Sequence, residues 1–166
     1  MKQKFSIVLL LTLLLQVSAF SQNKSRRVPL IAEDEIKSIT VSGNIHVLLV
    51  EDQPANIGVQ AVSEMVDKLK VSLSGDRLYI APSKKATADE PLYVYVKVND
   101  LRRLELKANA TVTSYGVLNS KNLNIFLNEK SRLALKSNGE VHVSTPKDYQ
   151  LSKENGYYSV FSMGTL

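Results

Sequence analysis

Apolar and polar residues alternate along most of the chain, and in the last third of it the alternation recurs. Each recurrence has two apolar residues separated by one position and a third a few residues later: Leu104, Leu106 and Val112; Ile125, Leu127 and Leu133; Tyr149, Leu151 and Tyr157. The first shift is about 21 residues and the second about 24. Strands that recur at such a period predict stacked coils of β-strand.

The middle recurrence contains three short apolar pairs about eight residues apart: Ile125/Leu127, Leu133/Leu135 and Val141/Val143. Pairs at that spacing predict a β-solenoid with three sides, in which each coil stacks on its neighbours. We therefore expect two inner columns of side chains: Leu106, Leu127 and Leu151; Val112, Leu133 and Tyr157. We also expect residues 161–166 to cover the open strand edge of the last coil.

The preceding part of the chain shows the same period of two. The alternation predicts strands near residues 39–41, 45–49, 57–61, 69–73, 78–81 and 92–98. A turn separates the first two because Gly43 and Asn44 both tolerate positive φ.

Only one segment has the spacing of a helix. Its apolar residues, Val62, Met65, Val66 and Leu69, recur at three- and four-residue intervals. We predict one short helix near residues 62–69, capped by Ser63.

The first 21 residues form a segment of a different kind. Lys2 and Lys4 precede an apolar run over residues 7–15, and the small residues Ala19 and Ser21 lie at the −3 and −1 positions of a cleavage site. An anchor that spans a membrane needs about 20 apolar residues, more than this run offers. The pattern therefore predicts a cleaved secretory signal peptide.

The rest of the chain predicts a polar tether over residues 22–35, with an ordered basic patch as the alternative, and a single domain over residues 36–166. Loss of Lys2 and Lys4 lowers the formal net charge from +5 to +3. Charges of both signs are interspersed, so we expect no nucleic-acid partner. The chain has no Cys. It therefore lacks disulfides and the lipid-modified Cys of a bacterial lipoprotein, and we expect no stable membrane anchor after signal cleavage.

The strands and turns of the domain carry a family resemblance. The stretches concerned are ITVSGNIHV at 39–47, the turn and strand at 51–59, VSLSGDRLYI at 71–80, LYVYV at 92–96 and LRRL at 101–104. They resemble the putative auto-transporter adhesin, head GIN domain family, common in exported proteins of Bacteroidetes-type bacteria, over residues 36–166. The resemblance implies a right-handed, three-sided parallel β-solenoid, export and an adhesive role. One departure is that Asn109-Ala110 and Glu129-Lys130 replace Gly-rich turns of the later coils.

Residues suited to catalysis do not form a recognisable motif. His46 and His142 each lie between apolar neighbours and should face solvent, without the carboxylate or Cys companions of a metal site. The acidic residues at 33–35, 51–52 and 89–90 predict solvated loops and turns. We expect no catalytic residue, metal or cofactor. The alternative is a carbohydrate-active enzyme, a polysaccharide lyase or hydrolase, on an outer face with these candidates: Glu105, Lys107, Glu129 and Lys136.

Binding is the function that the pattern favours. Tyr79, Tyr93 and Tyr95 alternate with apolar residues, and with Lys97 they predict an outward strip on which sugar rings stack. The alternative is that tyrosine is simply a good strand residue. Arg102-Arg103 predicts a solvated turn, with an anion clamp as its alternative.

We expect an exported binding or structural module, periplasmic, on the outer surface or secreted, with a surface glycan or envelope protein as its partner. A scaffold that forms oligomers through the solenoid ends is a further alternative.

Overall fold

The predicted strands assemble into two sheets in the computed structural model, which describes residues 27–32, 36–51, 58–87, 89–128, 130–145 and 149–162. The large sheet has eight strands, in the spatial order β1 (Arg27–Ala32), β4 (Gly58–Val62), β7 (Leu92–Val98), β3 (Ile45–Glu51), β9 (Thr111–Leu118), β11 (Arg132–Ser137), β14 (Tyr157–Ser162) and β13 (Tyr149–Glu154). The small sheet has six, in the order β12 (Glu140–Ser144), β10 (Asn122–Leu127), β8 (Arg103–Lys107), β2 (Ser38–Ser42), β6 (Arg77–Pro82) and β5 (Leu69–Ser74).

Both sheets have a parallel centre and antiparallel strands at an edge. In the large sheet β7, β3, β9 and β11 are parallel, while β1 and β4 at one edge and β14 and β13 at the other pair antiparallel. In the small sheet β6, β2, β8, β10 and β12 are parallel and β5 is antiparallel to β6. The expectation of an all-β fold is confirmed.

Successive strands form pairs, with the first strand in the small sheet and the second in the large sheet, and we call each pair a layer. The layers are β2–β3, β6–β7, β8–β9 and β10–β11, and they have the same spatial order in both sheets. Each layer turns its apolar side chains into one core between the sheets. Its largest fully buried side chains include Ile39, Ile45, Leu49, Leu78, Ile80, Leu92, Leu104, Leu106 and Leu123.

The corner between β2 and β3 depends on glycine. Gly43 has φ +82°, and a Cβ at this position would lie 2.6 Å from Cγ of Pro82. Its amide donates to the carbonyl of Lys107 at 3.2 Å, and the amide of Leu92 donates to the carbonyl of Asn44 at 3.1 Å. Backbone hydrogen bonds therefore join this corner to the neighbouring parts of the chain, just as they join the strands. The positive φ of Gly43 agrees with the predicted turn at Gly43 and Asn44.

The prediction of a right-handed, three-sided parallel β-solenoid is wrong, because the molecule has two mixed sheets. The three apolar pairs alternate between these sheets. Leu133 and Leu135 lie in β11 of the large sheet, but the next strand, β12, returns to the small sheet beside β10, where Val141 is opposite Leu123 and Val143 opposite Ile125. An eight-residue spacing predicts the length of each strand and the position of the turn after it. It does not predict how many sheets the strands form.

The first two recurrences align as predicted and the third does not. Leu104 is opposite Ile125, Leu106 opposite Leu127 and Val112 opposite Leu133. The strands β13 and β14 instead form an antiparallel hairpin around Asn155 and Gly156, both of which have positive φ. Leu151 and Tyr157 are therefore exposed by 48% and 56%, and Tyr158 enters the core in place of its neighbour.

The predicted helix is a 3₁₀ helix over Ser63–Lys68. Its N-cap residue is Val62 and no side chain caps it, so the prediction of Ser63 as the cap is wrong. Met65 and Val66 pack, partly buried, against the core.

The structure covers only part of the segments predicted at the two ends of the chain. Residues 27–32 of the predicted tether form β1, paired with β4, so this stretch is a strand. The predicted signal peptide over residues 1–21 and the last four residues, 163–166, lie outside the described residues.

Candidate functional site

The candidate catalytic residues do not converge. Glu105 and Lys107 lie on β8 of the small sheet, Lys136 lies on β11 of the large sheet, and Glu129 is outside the described residues. His46 on β3 and His142 on β12 are likewise divided between the sheets. In the part of the chain that the structure describes, no three His, Cys, Asp or Glu residues are grouped as a metal site requires.

The predicted tyrosine strip is divided between two surfaces. Tyr79 lies on β6, between the buried residues Leu78 and Ile80, and points outward from the small sheet. Tyr93, Tyr95 and Lys97 lie on β7 and point outward from the large sheet. Because the shared core separates the two sheets, Tyr79 and the other three residues face opposite sides of the molecule.

A shallow groove on the large sheet brings two of the predicted residues together with four that the sequence reasoning missed. The parallel register sets His46 beside Tyr93 and Leu48 beside Tyr95, and it sets Thr111 and Thr113 on their other side. The groove has a volume of about 220 Å³. We call it the tyrosine groove, with these outward side chains: His46, Leu48, Tyr93, Tyr95, Thr111 and Thr113.

The tyrosine groove is aromatic, and no Asp, Glu, Lys or Arg is among the described residues that line it. The ring centroids of His46 and Tyr93 are 5.1 Å apart and their planes are tilted by 45°. The 3₁₀ helix, which follows β4, lies next to Tyr93: the amide of Tyr93 donates to Sδ of Met65 at 3.3 Å. Lys97 is partly buried two positions beyond Tyr95 and outside the groove. Leu48 could have indicated this groove from the sequence, because it is an apolar residue at an outward position, next to the inward Leu49.

The small sheet carries a larger and charged groove. Its volume is about 570 Å³, and we call it the basic groove, with these lining residues: Lys37, Ser38, Thr40, Asp76, Arg77, Tyr79, Arg102, Arg103, Glu105 and Lys107. Five of them are basic and two acidic. Beyond this lining, the Arg103 guanidinium lies over the ring of Phe126, 4.1 Å from its centroid.

Ion pairs hold several of these charges in place. Glu105 lies between Arg103 at 3.7 Å and Lys107 at 3.2 Å. At the rim, Asp100 accepts from Nζ of Lys37 at 3.4 Å and from Nη2 of Arg102 at 3.3 Å. Burial raises the pKa of Asp100, but hydrogen bonds from the Lys121 amide and the Arg102 side chain and the nearby charge of Lys37 outweigh it and hold this pKa below its ordinary value.

Solved structures similar to this chain come from Bacteroides and Parabacteroides species. A putative adhesin from Bacteroides fragilis shares 14% identity over 74% of this chain and 62% of its own, with a TM-score of 0.53. A putative adhesin from Parabacteroides merdae shares 14% identity over 74% of this chain and 57% of its own, with a TM-score of 0.46. The chain thus spans less than two thirds of either structure. None of the curated proteins compared with the chain matches it.

The fold and its surfaces define an all-β domain of two mixed sheets with solvent-facing grooves. More specifically, the chain belongs to the putative auto-transporter adhesin, head GIN domain family, whose sequence profile matches residues 36–152. The resemblance noted in the sequence is thereby confirmed. Within the described residues, no helix has the length and apolar character needed to cross a membrane.

Proposed function

We propose that this chain is an exported, non-catalytic adhesin-like module that binds an extended surface glycan in the tyrosine groove. The observation that carries the proposal is the pairing of Tyr93 and Tyr95 with His46 and with the hydroxyls of Thr111 and Thr113 across three parallel strands. Membership of an adhesin-like family supports a binding role and an exposed location.

The chemistry of the groove suits a sugar chain. Tyrosine rings offer a flat apolar face to the C–H side of a pyranose, and their hydroxyls remain available for hydrogen bonds. Histidine and threonine add donors and acceptors at the groove floor. Since the described residues of the lining include no acidic or basic side chain apart from His46, we expect a neutral glycan to bind more tightly than an acidic one.

The lining of the site also favours binding over chemistry. The described residues that line the groove include no carboxylate, whereas hydrolysis of a glycan needs two carboxyl groups that face one bond. Glu105 and Lys136, candidates for the enzyme alternative, lie on different sheets. A direct assay for released reducing ends on bound glycans distinguishes the two functions: we expect none, and turnover would favour the enzyme.

The test replaces the two groove tyrosines. Tyr93→Ser with Tyr95→Ser should lower retention on a neutral glycan array by about tenfold, as the loss of two stacking contacts implies. Tyr115→Ser is the matched control, because Tyr115 is 72% exposed on β9 of the same sheet but outside the groove. Equal retention of the double variant and the control would exclude the groove as the binding site.

The expected location has its own test. If the first 21 residues direct export, the protein isolated from cell fractions should begin at Gln22 and should be absent from the cytoplasm. N-terminal sequencing of the fractionated protein checks this, and a retained Met1 would contradict it. Sedimentation of the same material determines whether the module is monomeric or oligomeric.

A further inference from the structure

The small sheet presents a surface that the proposed function leaves unused. We propose that the basic groove binds an acidic polysaccharide, a glycan chain that carries carboxylate or sulfate groups. This site lies on the opposite side of the core from the tyrosine groove and does not depend on it.

The basic groove has more positive than negative groups, and most of its cations are held by ion pairs. Lys37 and Arg102 are tied to Asp100 at the rim, and Arg103 and Lys107 share one carboxylate, that of Glu105. Arg77 has no carboxylate partner among the described residues. The positive groups outnumber the negative ones on a concave surface, and such a surface attracts an anionic ligand.

The strand register spaces these charges regularly. Ser38 of β2 is opposite Arg77 on one side and Arg103 on the other, so the two arginines lie in one row, two strands or about 10 Å apart. A guanidinium binds a carboxylate or sulfate through two parallel hydrogen bonds, which a lysine does not reproduce. The row therefore suits a polymer whose anionic groups recur at about the length of a disaccharide unit.

The next row of the sheet supplies the groups that a sugar needs. It contains Tyr79, Thr40, Glu105 and Phe126 on four neighbouring strands. Tyr79 is 43% exposed and offers a stacking face. Phe126 supports the guanidinium of Arg103 from below, and Glu105 holds it from the side, so this cation is fixed before a ligand arrives.

The mixed charges distinguish a glycan from other anions. Asp76 and Glu105 would repel a nucleic acid, because it has a phosphate at every unit. In a glycan whose charged sugars alternate with neutral ones, the same carboxylates accept hydrogen bonds from the hydroxyls of the neutral sugars. A membrane surface is a poor fit, because interfacial binding needs apolar side chains that enter the lipid. No aliphatic side chain is among the described residues that line the groove.

The test compares binding of the mature chain to immobilised hyaluronate and keratan sulfate, whose carboxylate or sulfate groups recur once per disaccharide, and to neutral dextran, anionic lipid vesicles and duplex DNA. We expect binding to one or both acidic polysaccharides and a loss of about tenfold in R77A/R103A. The matched control is K84A/K130A, which removes two exposed charges outside the groove and should bind as wild type. Thermal unfolding of each variant verifies the fold.

Two further variants locate the interaction. R77K/R103K keeps the charge but loses the planar fork and should bind nearly as weakly as the alanine pair. The variant with both groove tyrosines on β7 replaced should still bind acidic glycans, so the two sites can fail separately. The proposal is overturned if neither acidic polysaccharide binds, if K84A/K130A loses as much affinity as R77A/R103A, or if vesicles or DNA bind more tightly than the glycans.

Discussion

The two outer faces of this molecule are built from the same layers but differ in chemistry. On the large sheet the central strands turn His46, Tyr93 and Thr111 outward, and the tyrosine groove has no Asp, Glu, Lys or Arg among its described lining residues. On the small sheet the strands of the same layers turn Arg77 and Arg103 outward, and the basic groove has charges of both signs. One core therefore supports an aromatic face and a charged face at once.

The difference shows which part of each strand is constrained. Inward positions of both sheets carry Val, Ile and Leu, because they share one core and must fill it. Outward positions touch only their neighbours in the sheet and solvent, so the sheet tolerates many residue types there. A surface of this kind can change its ligand without a change in the fold.

The largest effect is expected where the two faces are joined. Leu106→Ala removes a fully buried side chain from the common core and should lower the free energy of unfolding by about 2–5 kcal/mol. Both grooves should lose their ligands at the same denaturant concentration. Leu151→Ala, at a position that is 48% exposed, is the control and should cost less than about 0.5 kcal/mol. Separate loss of the two binding activities in Leu106→Ala would show that the faces do not share a core.

The second-largest effect should come from salt, which should weaken ligand binding at the charged face but not at the aromatic face. Ionic strength of about 1 M shortens the Debye length from about 10 Å at 0.1 M to about 3 Å, which screens exposed charges. We expect acidic glycans to bind the basic groove about tenfold more weakly at the higher salt, and neutral glycans to bind the tyrosine groove almost unchanged. Isothermal titration at both salt concentrations measures this. An equal response of both ligands would contradict the comparison.

Removing one acid from the charged face should have a smaller effect. Glu105→Gln releases Arg103 and Lys107 from their shared partner, so Arg103 is no longer fixed before the ligand arrives and we expect affinity for an acidic glycan to fall by about threefold. Stability should fall by less than about 1 kcal/mol, because the ion pairs are partly exposed. Glu140→Gln is the control, since Glu140 pairs with His142 on β12 outside the groove. An affinity that stays constant would mean that Glu105 does not hold Arg103 in place for the ligand.

The smallest effect concerns pH. The folded pKa of Asp100 lies below its ordinary value of 3.8, so its carboxylate contributes stability above that value and loses the contribution as pH falls through the lower folded pKa. Asp100→Asn should therefore be less stable than wild type at pH 7 by less than about 1 kcal/mol, and the difference should shrink as pH falls below 3.8 towards the lowered folded pKa. Denaturant unfolding across this range measures the difference. Asp67→Asn, 77% exposed beside Lys85, is the control. A difference that persists in acid would exclude Asp100 as its source.

The sequence predicted the pairing of strands better than the number of sheets. The alternation identified inward residues correctly and the recurrence set Leu104 against Ile125 and Val112 against Leu133, because stacked layers repeat in register. It could not show that β12 returns to the small sheet, because the angle at a corner depends on backbone packing between layers. The hairpin at Asn155 and Gly156 likewise replaced a third recurrence whose apolar pattern looked the same.

The candidate site was predicted only in part for a similar reason. Outward positions such as Tyr79 and Tyr93 follow from alternation, but the chain crosses to the other sheet between β6 and β7. Residues close in sequence therefore reach opposite faces. The basic groove joins β6, β2 and β8, which are far apart in the chain, so only Arg102-Arg103 indicated it locally.

The spatial order of the layers also determines how the chain can fold. The strands β2 and β3 precede both of their neighbouring layers, yet they lie between them, with β6–β7 on one side and β8–β9 on the other. A chain that emerges from its N-terminus must therefore leave the second edge of these strands unpaired until it has been made as far as β9, which ends at Leu118. Such non-local closure is slow. The layer made first therefore stays open at one edge until two later layers have been made.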